Sequence, residues 1–209
     1  MAAAVPDDRL EVADVPTPIG AFRIVYRGRE VFVVDLVERG SPQSGAPVEA
    51  LRRRPPFPPD SPPRQLAEYF RSQRDRFDLE PKPVSASDFD QKVWARLQAV
   101  PIGSTITYGE LARRAGYPGS ARAVGGSMHR NPIPIIIPCH RVVGQDGSVT
   151  GYGLGRWRKR WLLEREGAWP LRARSAEGPR DGSQRTLDDT FRWRRPSRAR
   201  TAGRSPTAA

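Results

Sequence analysis

The sequence predicts an α+β fold: a small α/β domain over residues 1–85, a mainly helical domain over 86–167 that carries the single cysteine, and a basic tail over 168–209. Three observations predict it. Two short runs rich in apolar and β-branched residues flank Tyr26-Arg27-Gly28-Arg29 near the start. After Ser87, helix-period apolar residues follow capping residues repeatedly. Beyond Gly167 that periodicity stops, and Arg, Ser, Pro and Ala dominate, a composition expected to be disordered.

Taken in order, Thr17–Ile24 and Glu30–Val37, joined by Tyr26-Arg27-Gly28-Arg29, predict a β-hairpin. Residues 40–63 are rich in proline, contain Arg52–Arg54 and predict a surface loop. Pro62-Pro63 is suited to start a helix that places Leu66, Tyr69 and Phe70 on one face. Pro81 and Pro83 mark a linker. Ser87 predicts the N-cap of a helix bearing Phe89, Val93, Trp94 and Leu97. Thr107 predicts the cap of YGELARRAG, which Gly116 stops. After the Pro118-Gly119 turn, Ser120–Arg130 predicts a second short helix, so this pair reads as a helix-turn-helix. Gln145–Ser148 supplies turn chemistry for a small β wing over Arg141–Thr150. Residues 156–166 predict a last helix, with Trp157 and Trp161, like Trp94, expected as packing residues.

Composition narrows the function. One cysteine in 209 residues excludes an internal disulfide and a multi-cysteine zinc site. No apolar run approaches the roughly 18 residues that a membrane span needs. The acidic N-terminus lacks a signal pattern, so a soluble, cytoplasmic chain is expected. The net charge of +12 points to a polyanionic partner. Residues 1–85 hold 13 basic and 13 acidic side chains, residues 86–167 hold 12 and 6, and the tail holds 10 and 4. The excess positive charge therefore lies in the back half, which suits nucleic acid.

The chemistry centres on Cys139-His140. A thiol attacks as thiolate, and a nearby imidazole can accept its proton. Neighbours on a regular strand face opposite ways, so the pair needs irregular backbone or a bridging water. Pro132, Pro134 and Pro138 favour irregular backbone. A carboxylate beyond the imidazole would complete a relay, and both Glu164 and Glu166 are candidates by spacing.

The runs TYGELARRAG, ARAVGGSMHRNPIPIIIPCHRVV, GYGLG and KRWLLEREG resemble the O6-alkylguanine-DNA alkyltransferases, also called methylated-DNA–protein-cysteine methyltransferases. The resemblance is dense from Phe89 to Gly167 and looser before it, through TPIG and QLAEYF. It departs from the family at SASDFD, where Ser85-Ala86 and Asp90 replace a Gly-Thr pair and a glutamine. It implies a ribonuclease-H-like first domain and a winged helix-turn-helix second domain. It also implies repair of O6-alkylguanine, with O4-alkylthymine a second candidate, by irreversible single transfer of the alkyl group to Cys139.

Roles follow residue by residue. His140 is implied as the water-linked base, Glu166 as its carboxylate and Asn131 as the buttress of the active-site turn. Tyr108 is implied as proton donor to the leaving guanine and Lys159 as support for the thiolate. Arg122 is implied as the side chain that fills the gap left by the flipped nucleotide, beside Ala121 and Met128 on the DNA side. Pro134, Val142, Tyr152 and Gly153 are implied in the pocket. The implied partner is double-stranded DNA containing alkylated guanine, met by a monomer associated with the nucleoid, without metal or other cofactor.

Base flipping fits this reading, because an alkyl group on guanine O6 lies inside the duplex. So does minor-groove binding with little sequence readout, since AVGGSM is small and apolar. Three other readings compete: a lesion-binding relative that does not transfer, a helix-turn-helix regulator, and a Cys-His hydrolase that turns over.

Overall fold

The computed structural model describes residues 9–37, 51–149 and 151–169. The expected disorder of the tail from 170 onward, and residues 40–50 of the expected loop over 40–63, lie outside these residues. The fold is α+β.

Three antiparallel strands form the first layer: β1 (Glu11–Thr17), β2 (Gly20–Arg27) and β3 (Glu30–Val37). Gly28, at φ +56°, closes the β2–β3 turn. A short β4 (Leu51–Arg53) adds in parallel to β1, and β5 (Glu80–Pro81) adds in parallel to β3, giving the order β4-β1-β2-β3-β5. Helix α1 (Pro62–Phe70) begins on its two prolines and packs Leu66, Tyr69 and Phe70 against the sheet. Phe70 stacks on Phe22 with ring centroids 5.7 Å apart.

The hairpin expectation is corrected at its first strand. Thr17–Gly20 is the turn between β1 and β2, with Thr17 Oγ1 donating to the Gly20 carbonyl, so β2 starts only at Gly20. β1 escapes the sequence pattern because Pro16 interrupts it. The strand tolerates that proline because β4 pairs only with Glu11–Ala13, leaving no hydrogen-bond partner on that side for Pro16 to miss. Leu51–Arg53 and Glu80–Pro81, read as loop and linker, are sheet-edge strands too short to show a period.

The second layer is helical. Helix α2 (Asp88–Gln98) is capped by Ser87, whose hydroxyl accepts from the Asp90 amide at 3.1 Å. Asp90, where the sequence departs from the family, accepts from Arg130 Nη2 at 2.8 Å and from the Ser87 hydroxyl at 2.9 Å. Burial opposes its charge, but these donors hold its pKa down at about 2. Helix α3 (Tyr108–Arg114) is capped by Thr107 and ends before Gly116, at φ +87°. Helix α4 (Ala121–His129) packs against α3 and α2. Helix α5 (Arg156–Glu166) closes the described chain.

Two two-residue strands, β6 (Ile106–Thr107) and β7 (Val142–Val143), pair in parallel. They hold the segment after Cys139 beside the start of α3. The expected wing over Arg141–Thr150 is thereby corrected. Its turn exists, with the Gly144 amide bonded to the Ser148 carbonyl at 2.9 Å, but Val142-Val143 pairs with β6 instead of folding back on itself. Thr150 lies outside the described residues.

The apolar core is continuous between the two layers. Phe22, Ile24 and Leu66 belong to the same buried cluster as Trp94, Leu111, Ile133 and Leu162. Trp94 and Trp161 pack as expected, Trp161 against Phe70 at 5.8 Å. Trp157 does not: it is 41% exposed, with the Arg158 guanidinium over its ring.

Candidate functional site

Backbone geometry delivers Cys139. Asn131, two residues past the end of α4, clamps the segment that follows. Its Oδ1 accepts from the Ile133 amide at 3.0 Å, and its Nδ2 donates to the Ile137 carbonyl at 2.9 Å and to Cys139 Sγ at 3.1 Å. Within the clamp, Ile135 sits at φ +77°. A β-branched residue in that region costs about 1–2 kcal/mol; the fold sustains it by burying the side chain and bonding the Ile137 amide to the Ile133 carbonyl at 2.9 Å. The sheet braces the same segment, because the Val34 amide on β3 donates to the Pro132 carbonyl at 2.9 Å. The chain then turns through one 3-10 turn, Cys139–Arg141, which is the irregular backbone that the adjacent Cys and His require.

His140 is fully buried, and its Nε2 lies 2.9 Å from Glu166 Oε1. A carboxylate only accepts, so Nε2 carries the hydrogen and Nδ1 is the basic atom. Nδ1 is buried without a hydrogen-bond partner among the described residues. Burial pushes the imidazole pKa below its ordinary value, against the pull of Glu166. Glu166 also accepts from Arg141 Nε at 2.8 Å, Arg141 Nη2 at 2.9 Å and the Tyr69 hydroxyl at 2.6 Å. Burial works to raise its pKa, but His140 and Arg141 hold it well below the carboxylate range. Glu164, the other candidate by spacing, is exposed and stands outside this network.

Cys139 is 5% exposed, and burial pushes its thiol pKa up. The Asn131 hydrogen bond and the Lys159 charge oppose that shift. Lys159 is itself buried, which lowers its pKa to about 8, and its Nζ stands 5.9 Å from the centre of the Tyr108 ring. The Tyr152 hydroxyl is buried without a well-formed hydrogen bond among the described residues, and burial, with the nearby Cys139 sulfur, pushes its pKa up. The resting sulfur is therefore a thiol, surrounded by groups that favour its ionised form.

Cys139 is not sealed in. It lines a cavity of about 360 Å³ together with Asn131, Met128, Pro134, Tyr152 and Gly153. The Val142 side chain is absent from this lining: pairing in β7 turns it into the core. Tyr108 and Lys159 are not among the residues that line the cavity, and the Tyr108 ring lies beside Gly125 of α4. Ala121 and Arg122 form the first turn of α4, where Arg122 is exposed. Among the described residues no group of three or more His, Cys, Asp or Glu could hold a metal ion.

Sequence reasoning missed three contributions. Arg141 neutralises Glu166; a cation next to His140 was the available signal. Tyr69 reaches Glu166 across 97 positions, with no local signal. Val33, Val34 and Asp35 bring β3 into the cavity wall, again without a local signal.

Residues 88–168 match the family model described as 6-O-methylguanine DNA methyltransferase, DNA binding domain. A methylated-DNA–protein-cysteine methyltransferase of Shigella flexneri is 45% identical over 103 residues, which is 49% of this chain and 60% of that protein. The match thus spans less than two thirds of that relative. The crystal structure of Mycobacterium tuberculosis O6-methylguanine methyltransferase superposes with a TM-score of 0.65 at 37% identity, covering 78% of this chain and 96% of that one. A crystal structure of Mycobacterium tuberculosis OGT in complex with DNA gives a TM-score of 0.65 at 37% identity, covering 76% and 93%.

Proposed function

The chain belongs to the 6-O-methylguanine DNA methyltransferase family, and from that premise we propose that it removes alkyl groups from guanine O6 in double-stranded DNA by moving them irreversibly onto its own Cys139. One observation carries the reading. The only thiol of the chain faces a cavity, accepts a hydrogen bond from Asn131, and adjoins an imidazole whose far nitrogen is tied to a buried carboxylate.

The proton from Sγ passes through a bridging water to His140 Nδ1. Glu166 remains ionised, held by Arg141 and Tyr69, and stabilises the imidazolium as it forms. Lys159 offsets the thiolate charge. Sulfur attacks the alkyl carbon in line, the S–C bond forms as the C–O6 bond breaks, and the electron pair leaves with guanine. The Tyr108 hydroxyl donates a proton to the departing ring. The products are guanine and a thioether on Cys139. A thioether has no easy route back to thiol, so each chain acts once.

Access requires the nucleotide to leave the stack, at a cost of a few kcal/mol. Arg122, exposed in the first turn of α4, fills the gap. Ala123 and Gly126, small residues on the same side of the helix as Arg122, allow it to lie close to the minor groove. On this reading α3 and α4 are the helix-turn-helix of a winged-helix domain. The β1–β2–β3 meander, with β4 parallel to β1 and followed by α1, supports a ribonuclease-H-like first domain.

Counting transfers tests the proposal. With excess duplex carrying O6-methylguanine, methyl transfer should saturate at one equivalent per chain. Repeated turnover would contradict self-inactivation, and tight binding without transfer would favour the lesion-binding alternative.

A further inference from the structure

The part of the cavity wall supplied by β3 carries a charge that the transfer chemistry does not use. Val33 and Asp35 lie on the half-buried side of the strand, whereas Val34 turns into the core, and all three border the same space as Cys139. Among the described residues of the lining, Asp35 is the only carboxylate. Arg23, on the paired position of β2, is engaged by both oxygens of Asp14 at 2.7 Å. Among the described residues at these paired strand positions, Asp14, Arg23 and Asp35 carry two negative charges and one positive. Asp35 Oδ1 is fixed by the Leu36 amide at 2.8 Å, so the carboxylate has a defined position. Gly153 adds no side chain to the cavity, and a Cβ there would meet nothing within 4 Å. The space of about 360 Å³ exceeds what a methylated purine fills, which leaves room for a longer group beside β3.

We propose that Asp35 sets a charge preference for the transferred group: an alkyl chain ending in a cation reacts faster than one of similar length ending in an anion. The proposal rests on the alkyl-transfer reading and deepens it by naming a substrate class. At a separation of several ångströms in a partly hydrated cavity, one charge is worth about three- to tenfold in rate. Added salt should reduce the preference.

The test uses the full chain and three duplexes, carrying guanine with O6-methyl, O6-(2-aminoethyl) and O6-carboxymethyl groups. Single-turnover rates are measured at pH 8. The wild-type chain should favour aminoethyl over carboxymethyl. Asp35→Asn keeps an acceptor for the Leu36 amide and should lower that rate ratio by about three- to tenfold. Asp35→Lys should push it further the same way. A ratio unchanged in both variants overturns the role of Asp35. Failure of the wild-type chain to accept even methyl is a different result, and strikes at the transfer reading itself.

Discussion

Asn131 shows how much one side chain decides at this site. It terminates the approach from α4, shapes the segment containing Ile135, and donates directly to the sulfur. A hydrogen bond to a charged group is worth about 1.5–3 kcal/mol, so Asn131→Ala should slow alkyl transfer by about 10- to 100-fold. Single-turnover kinetics at saturating DNA would show it, and an unchanged rate would remove Asn131 from thiolate stabilisation. Cys139 and His140 were legible in the sequence because they are adjacent and their chemistry is local, whereas Asn131 was legible only through the family resemblance. Glu166 was legible by spacing only as one of two glutamates. Burial separates them, leaving Glu164 in solvent and giving Glu166 four hydrogen bonds. The strained φ of Ile135 had no sequence signal, since the clamp that imposes it is tertiary.

Among elements, helices with caps were readable and short strands were not. Ser87 and Thr107 each bond the amide three residues on, so polar side chains mark where α2 and α3 begin. β4, β5, β6 and β7 contain two or three residues each, and their existence depends on which edge lies beside them. Helix α4 carries a functional prediction. Its exposed Arg122 is proposed to stand in for the extruded nucleotide, so Arg122→Ala should slow repair of duplex DNA by at least about tenfold. Reaction with free O6-benzylguanine should change far less, because no base stack must be refilled. Equal losses on the two substrates would contradict the wedge role.

At the scale of the whole molecule, the two layers share a core and a hydrogen bond into the relay. The Tyr69 ring lies under the Arg165 guanidinium at 3.8 Å, while its hydroxyl reaches Glu166. Tyr69→Phe removes only that hydroxyl and should lower stability by about 1.5–3 kcal/mol, measured by denaturant unfolding. A variant as stable as the wild type would show that the bond contributes nothing.

Acid should weaken the fold in two stages. His140 is neutral in the fold with a pKa below 6.5, so the unfolded chain binds more protons as pH falls past 6.5, and stability declines. Glu166 is held well below its ordinary 4.5, so its contribution is present above that pH and is lost as pH falls beneath it. Denaturant midpoints between pH 8 and 3 should therefore drop first near 6.5 and again below 4.5. His140→Gln should flatten the first drop; a first drop of undiminished size in that variant would mean that another group causes it.

The central claim concerns a single atom, and peptide mass analysis addresses it directly. The wild-type chain and Cys139→Ser are incubated with duplex DNA containing O6-methylguanine, then digested and weighed. The predicted result is one added methylene on the wild-type peptide containing Cys139, and none anywhere in the variant. A methyl group on another residue, or DNA held tightly by a chain of unchanged mass, would contradict it.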